Sequence, residues 1–203
     1  ALRRLAWELH KRTAIEVALE PSSAKATVDQ LAASPFLYAS GDRGFDPLGP
    51  SSVAALGRFL RLGGTLLVDP AFTEDGDAEA FDAGIDRLLA EALPAVEPRP
   101  IEPGDLLLRT FYELPRAVGA VEGPPHLTGY AIGDRTAVVR TAHDLGAAWA
   151  RDNLGNWEHE VTPGGARQRE SAYRLGVNIV MLALCRDYKN EKPHRRFDAT
   201  KGR

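Results

Sequence analysis

Two short apolar runs, Phe36-Leu37-Tyr38-Ala39 and Thr65-Leu66-Leu67-Val68, bracket a helical pattern, and that spacing constrains the fold more than any other feature of the chain. Each run is too short for a helix. Pro35 and Gly41 bound the first and Gly63-Gly64 precede the second, so both read as buried strands. Between them Val53, Leu56, Phe59, Leu60 and Leu62 recur at three and four residues. Ser51 and Ser52 can cap that helix and Gly63-Gly64 can end it. Strand, helix, strand predicts parallel strands joined by right-handed crossovers, with helices on both sheet faces. The expected fold is α/β, a three-layer sandwich around a mostly parallel sheet.

The flanking sequence extends this pattern. Leu2, Leu5, Ala6 and Leu9 predict an amphipathic helix to about Lys11, followed by a strand over 14–19 and an Ala-rich stretch before Pro35. After an acid-rich loop, Phe81, Ile85, Leu88, Leu89 and Leu93 share one helix face, and Pro94, Pro98 and Pro100 read as a loop. Apolar runs over 130–132 and 135–141 around Gly133-Asp134 predict a hairpin at the sheet edge. A last helix over 166–188 carries the stripe Ala172, Leu175, Gly176, Ile179, Val180, Ala183 and Leu184, with Glu170 and Arg174 paired on its polar side. One domain over 1–188 is expected, with a charged tail over 189–203 expected to be mobile.

Composition narrows the function classes. A 203-residue chain with 44% hydrophobic content can bury one sizeable core. Lys and Arg number 25 against 28 Asp and Glu, a net charge of −3, so nucleic acid is not an expected partner. No apolar run reaches the roughly 18–20 residues that a membrane-spanning helix needs, so membrane insertion is not expected. Cys185 stands alone, which excludes an internal disulfide and leaves the redox compartment open. Ala1 opens directly into the helical pattern, as after removal of an upstream segment, and a periplasmic or exported location is favoured over a cytoplasmic one. The oligomeric state is not legible.

Four stretches together carry a resemblance. Pro35-Phe36-Leu37-Tyr38-Ala39-Ser40-Gly41 and Leu62-Gly63-Gly64-Thr65-Leu66-Leu67-Val68-Asp69 form the first pair. Thr110-Phe111-Tyr112-Glu113-Leu114, and Asp144-Leu145-Gly146 through Trp149 with Leu175-Gly176-Val177-Asn178, complete the set. Each is common alone, but in this order they resemble the bacterial domain-of-unknown-function family 4159 over nearly the whole chain. The resemblance implies a flavodoxin-like sheet of the class I glutamine amidotransferase-like superfamily and supplies no established activity. It also implies neighbours that include von Willebrand type A proteins and MoxR-type ATPases, which suits an envelope-associated interaction role. Asp105 stands where many members are expected to carry His.

The superfamily's chemistry needs a Cys on a sharp turn after a parallel strand, with His and an acid beside it. Here the turn after 65–68 reads Asp69-Pro70-Ala71-Phe72, and Cys185 falls near a helix end as a small buried thiol, so no catalytic residue is assigned. Asp42 and Asp69 follow strands, where open α/β sheets bind ligands, although capping a turn explains each equally simply. His126, His143 and His159 lack the spacing that places two ligands on one helix face, and Asp75-Gly76-Asp77-Ala78-Glu79 lacks a complete calcium loop. No metal and no cofactor are expected.

Two stretches suit binding. Gly164 and Gly165 precede the last helix with Arg167 and Arg169 in its first turn, an arrangement that can hold an anion or can be an ordinary solvated helix start. His143, Asp144, Trp149, Arg151, Asp152, Asn153, Asn156 and Trp157 form a Gly-punctuated region too aromatic for an ordinary linker. The resulting expectation is a non-catalytic amidotransferase-like module that binds a protein partner or small ligand through 143–169 and the loops at Asp42 and Asp69. The alternative is a hydrolase or transferase using Asp69, His126, His143 and Asp144, which requires those side chains to converge.

Overall fold

The computed structural model describes residues 1–184, so Cys185 and the tail over 189–203 lie outside the described residues. The helices are α1 (Leu2–Arg12), α2 (Val28–Ala32), α3 (Pro50–Arg61), α4 (Ala78–Ala92), α5 (Leu145–Trp149) and α6 (Gly165–Leu184). The strands are β1 (Phe36–Gly41), β2 (Thr65–Pro70), β3 (Pro98–Ile101), β4 (Leu127–Ile132) and β5 (Arg135–Arg140). They form one open sheet in the order β1-β2-β5-β4-β3. β1 pairs parallel with β2 and β2 parallel with β5, whereas β5–β4 and β4–β3 are antiparallel. The sheet is thus mixed, with β4 reversed against the other strands.

Two side-chain clusters explain why the strands are apolar on both faces. Leu67 and Val139 point into one cluster with Leu5 and Leu9 of α1, Trp149 of α5 and Ala172, Leu175 and Ile179 of α6. Leu66, Val68 and Val138 point into the other, with Leu31 of α2, Phe59 and Leu60 of α3 and Phe81, Ile85 and Leu89 of α4. Alternation along each strand sends successive side chains to opposite faces, so β2 is buried throughout.

Four readings of the sequence need correction. Ser51 and Ser52 do not cap α3; Gly49 is its N-cap and Pro50 occupies the first turn, where a missing N–H costs nothing. The proline-marked stretch contains β3, because a strand at the sheet edge tolerates prolines that a central strand excludes. The β4–β5 hairpin therefore lies inside the sheet rather than at its edge, with β5 against β2 and β4 against β3. Residues 14–19 run without regular structure and join no strand ladder.

The carboxyl ends of β1, β2 and β5 lie along one edge. That edge brings Asp69 at the end of β2 against the turn 141–144 that follows β5.

Candidate functional site

Asp69 anchors this edge. Its side chain is fully buried, with Oδ1 accepting from the Leu145 N–H at 2.9 Å and Oδ2 from the Gly146 N–H at 2.7 Å. The Tyr38 hydroxyl donates to Oδ2 at 2.8 Å. Asp144 caps the same short helix from a left-handed backbone conformation (φ 51°), its Oδ1 accepting from Ala147 N–H and its Oδ2 from Phe72 N–H, both at 2.9 Å. A Cβ at Gly146 would lie 2.7 Å from the Tyr38 hydroxyl oxygen, so a larger residue there would displace that hydroxyl from Asp69.

Burial pushes the Asp69 carboxyl up to about 7, against the opposing pull of Leu145 N–H, the Tyr38 hydroxyl and Gly146 N–H. The folded chain therefore holds a proton that the unfolded chain has already lost in the window from about 4 to 7, and stability from this group falls as pH rises through it. The Asp69 carboxyl carbon, followed by NMR against pH, should titrate near 7. A midpoint below 4 would show that the three donors outweigh burial.

His143 is buried beside this cluster but turned away from it. Its Nε2 meets the Pro124 carbonyl at 2.8 Å, and a carbonyl only accepts, so Nε2 carries the proton. Nδ1 then accepts from Thr141 Oγ1 at 2.9 Å, and burial lowers the imidazole below its ordinary range. His126 is half-buried just before β4. The structure brings Asp69 and Asp144 together around α5, yet spends their oxygens on backbone N–H groups. Asp42, half-buried just after β1, is held instead by Arg43 and by Thr73 Oγ1 at 2.9 Å, and the Arg43 guanidinium keeps its carboxyl well below the usual range.

The glycine pair and arginines before α6 also separate. Gly164 N–H donates to Gln168 Oε1 at 2.9 Å, and Gly165 N–H donates to the Val161 carbonyl at 3.1 Å. Arg169 turns inward, donating to the carbonyls of Ala148 (2.7 Å) and His159 (2.6 Å), while Arg167 remains exposed. Trp149 is core: it is fully buried, and its indole N–H donates to the Ala172 carbonyl at 3.1 Å.

What this scaffold presents outward is the loop 150–161. Asp152 is its buckle, with Oδ1 accepting from Leu154 N–H (2.8 Å) and Asn156 N–H (2.7 Å) and Oδ2 from the Asn156 amide (3.0 Å). Those donors, led by the Asn156 side chain, hold its carboxyl below the ordinary range. A bridge between Arg151 and Trp157 closes the loop, and Arg151 donates to the Gly155 carbonyl at 2.8 Å. The Arg151 and Arg169 guanidinium carbons lie 3.7 and 4.1 Å from the Trp157 ring centroid. Leu154 at the tip is 88% exposed and Trp157 is 42% exposed. Among the described residues no group of three or more His, Cys, Asp or Glu side chains is arranged to hold a metal ion, and no helix is long and apolar enough to cross a membrane.

A family model described as "Domain of unknown function (DUF4159)" matches residues 1–184. No curated protein matches the chain.

Proposed function

Because the chain belongs to the DUF4159 family, whose description names no activity, we propose from its surface that it is a non-catalytic binding module that takes a protein partner on the loop 150–161. The observation that carries this reading is the pairing of exposure with bracing. Leu154 and Trp157 are apolar and open to solvent, yet Asp152, Arg151 and Arg169 already hold the backbone that presents them. Such a loop gives up little conformational freedom on binding, and exposed Trp flanked by Arg is the composition of binding hot spots.

The state of the acid and base groups supports the non-catalytic half. Asp69, Asp144 and His143 are each less than 5% exposed and are committed to backbone or neighbouring side-chain partners. The proton held by Asp69 is the one property that suits an enzyme, and its full burial separates it from any substrate arriving from solvent. We further assign the chain to the class I glutamine amidotransferase-like superfamily, as a flavodoxin-like three-layer sandwich that has lost its nucleophile. Helices packed on both sheet faces support the layers, and Asp69-Pro70-Ala71 at the carboxyl end of β2 supports the loss.

Asp152→Ala tests the bracing. Removing the carboxylate leaves Leu154 and Asn156 N–H groups without their acceptor, so backbone order parameters over 152–158 should fall from roughly 0.85 to below about 0.6 with the global melting curve unmoved. A loop already at the lower value in the unsubstituted protein would remove the basis of the proposal.

A further inference from the structure

The two edges of the sheet are guarded differently. β3 places Pro98 and Pro100 at one edge, and proline offers no N–H to an incoming strand. β1 at the other edge reads Phe36-Leu37-Tyr38-Ala39-Ser40-Gly41, with no proline, no charge and no bulge. Its polarity is set by the β2 ladder. Thr65 N–H bonds to the Pro35 carbonyl and Ala71 N–H to the Gly41 carbonyl, so odd-numbered residues of β1 face β2 and even-numbered ones face outward. Ser34 Oγ occupies the outward groups of Phe36. Those of Tyr38 and Ser40 meet no strand among the described residues.

A segment suited to that edge lies in the chain itself. In residues 14–18 half-buried Ile15 and Val17 alternate with exposed Ala14, Glu16 and Ala18, the pattern of a strand with one face covered. The path of the chain also brings it past β1. α1 packs on one sheet face and α2 on the other, so residues 13–27 must cross between faces. α2, α3 and α4 share a face, and α3 carries the chain from β1 to its neighbour β2. Repeating that step backwards through α2 puts the preceding strand beside β1, parallel to it.

The geometry points to the open edge of β1 as a strand-docking site whose occupant is this chain's own segment 14–19, a strap that closes to make a sixth, parallel strand. In the structure this segment joins no ladder, although Val17 packs against the same cluster as Phe36 and Tyr38 of β1. Closure satisfies the outward groups of Tyr38 and Ser40, removes the unguarded edge and fixes the carboxyl end of α1. This inference stands independently of the loop 150–161.

Amide hydrogen exchange of the full chain, read by NMR at Tyr38 and Ser40, tests it. Protection of about 100-fold or more over the free-peptide rate is expected at dilutions where the chain is monomeric. Adjacent strand residues turn their N–H groups to opposite sides, so at least one of Glu16→Pro and Val17→Pro should return both amides to within about tenfold of the free rate. Near-ultraviolet circular dichroism of the core Trp149 checks that each variant is folded. Free-peptide exchange in the unsubstituted chain would overturn the strap. So would protection that grows with protein concentration, which assigns the edge to a second copy, or protection that survives both prolines.

Discussion

Asp69→Ala is expected to cost about 3 kcal/mol of folding stability, because it strips the acceptor from two backbone N–H groups at the start of α5 and from the Tyr38 hydroxyl. For a chain of this length that is a fall in melting temperature of roughly 6–12 °C. Asp69→Asn keeps one acceptor oxygen but sets an NH2 group against a backbone N–H, so it should cost less than the alanine variant and more than an ordinary surface change. The pH dependence separates the charge from the hydrogen bonds. The carboxyl proton is held more tightly in the folded chain, so its stabilising contribution is fully present near pH 4 and is lost as pH rises through about 7. Asn does not titrate. The gap between the parent protein and Asp69→Asn should therefore be widest near pH 4 and shrink toward pH 7. Chemical denaturation across that range measures it, and a gap that widens with pH would reverse the assignment.

Trp157→Ala is the counterpart at the surface. The ring is 42% exposed and its contacts in the free protein are the two guanidinium groups and, at 6.2 Å between centroids, Tyr173. Losing them should cost about 1 kcal/mol of stability. Binding should suffer far more: a central hot-spot Trp removed to alanine costs 2 kcal/mol or more, roughly a 30-fold loss of affinity. A variant whose melting temperature falls by only roughly 2–4 °C while partner binding falls about 30-fold is the signature of an interface residue.

How much of this was legible depends on range. The strand, helix, strand core over 36–68 follows from local spacing, and the structure carries it as β1, α3 and β2. β3 was hidden because its prolines punctuate as a loop until the edge position is known. Asp69 and Asp144 were visible as acids at strand and turn ends, but their joint hold on α5 joins residues more than seventy apart. Tyr38 went unread, although a Tyr within a buried strand needs a partner for its hydroxyl. Gln168 and Arg169 carried a usable signal. They lie four and three residues before Ala172 on the apolar stripe of α6, so both had to turn inward, and both are buried. The Asp152 buckle was equally local, since Asp followed by Asn-Leu-Gly-Asn is a turn in which the side chain bonds its own backbone.

A photo-crosslinking residue placed at Leu154 in the native host, with a second at exposed Arg87 on α4 as control, tests the binding module most directly. The expected result is one discrete protein adduct from position 154, absent from position 87 and lost when Trp157→Ala is added. Adducts that are the same from both positions, or none from 154, would contradict it.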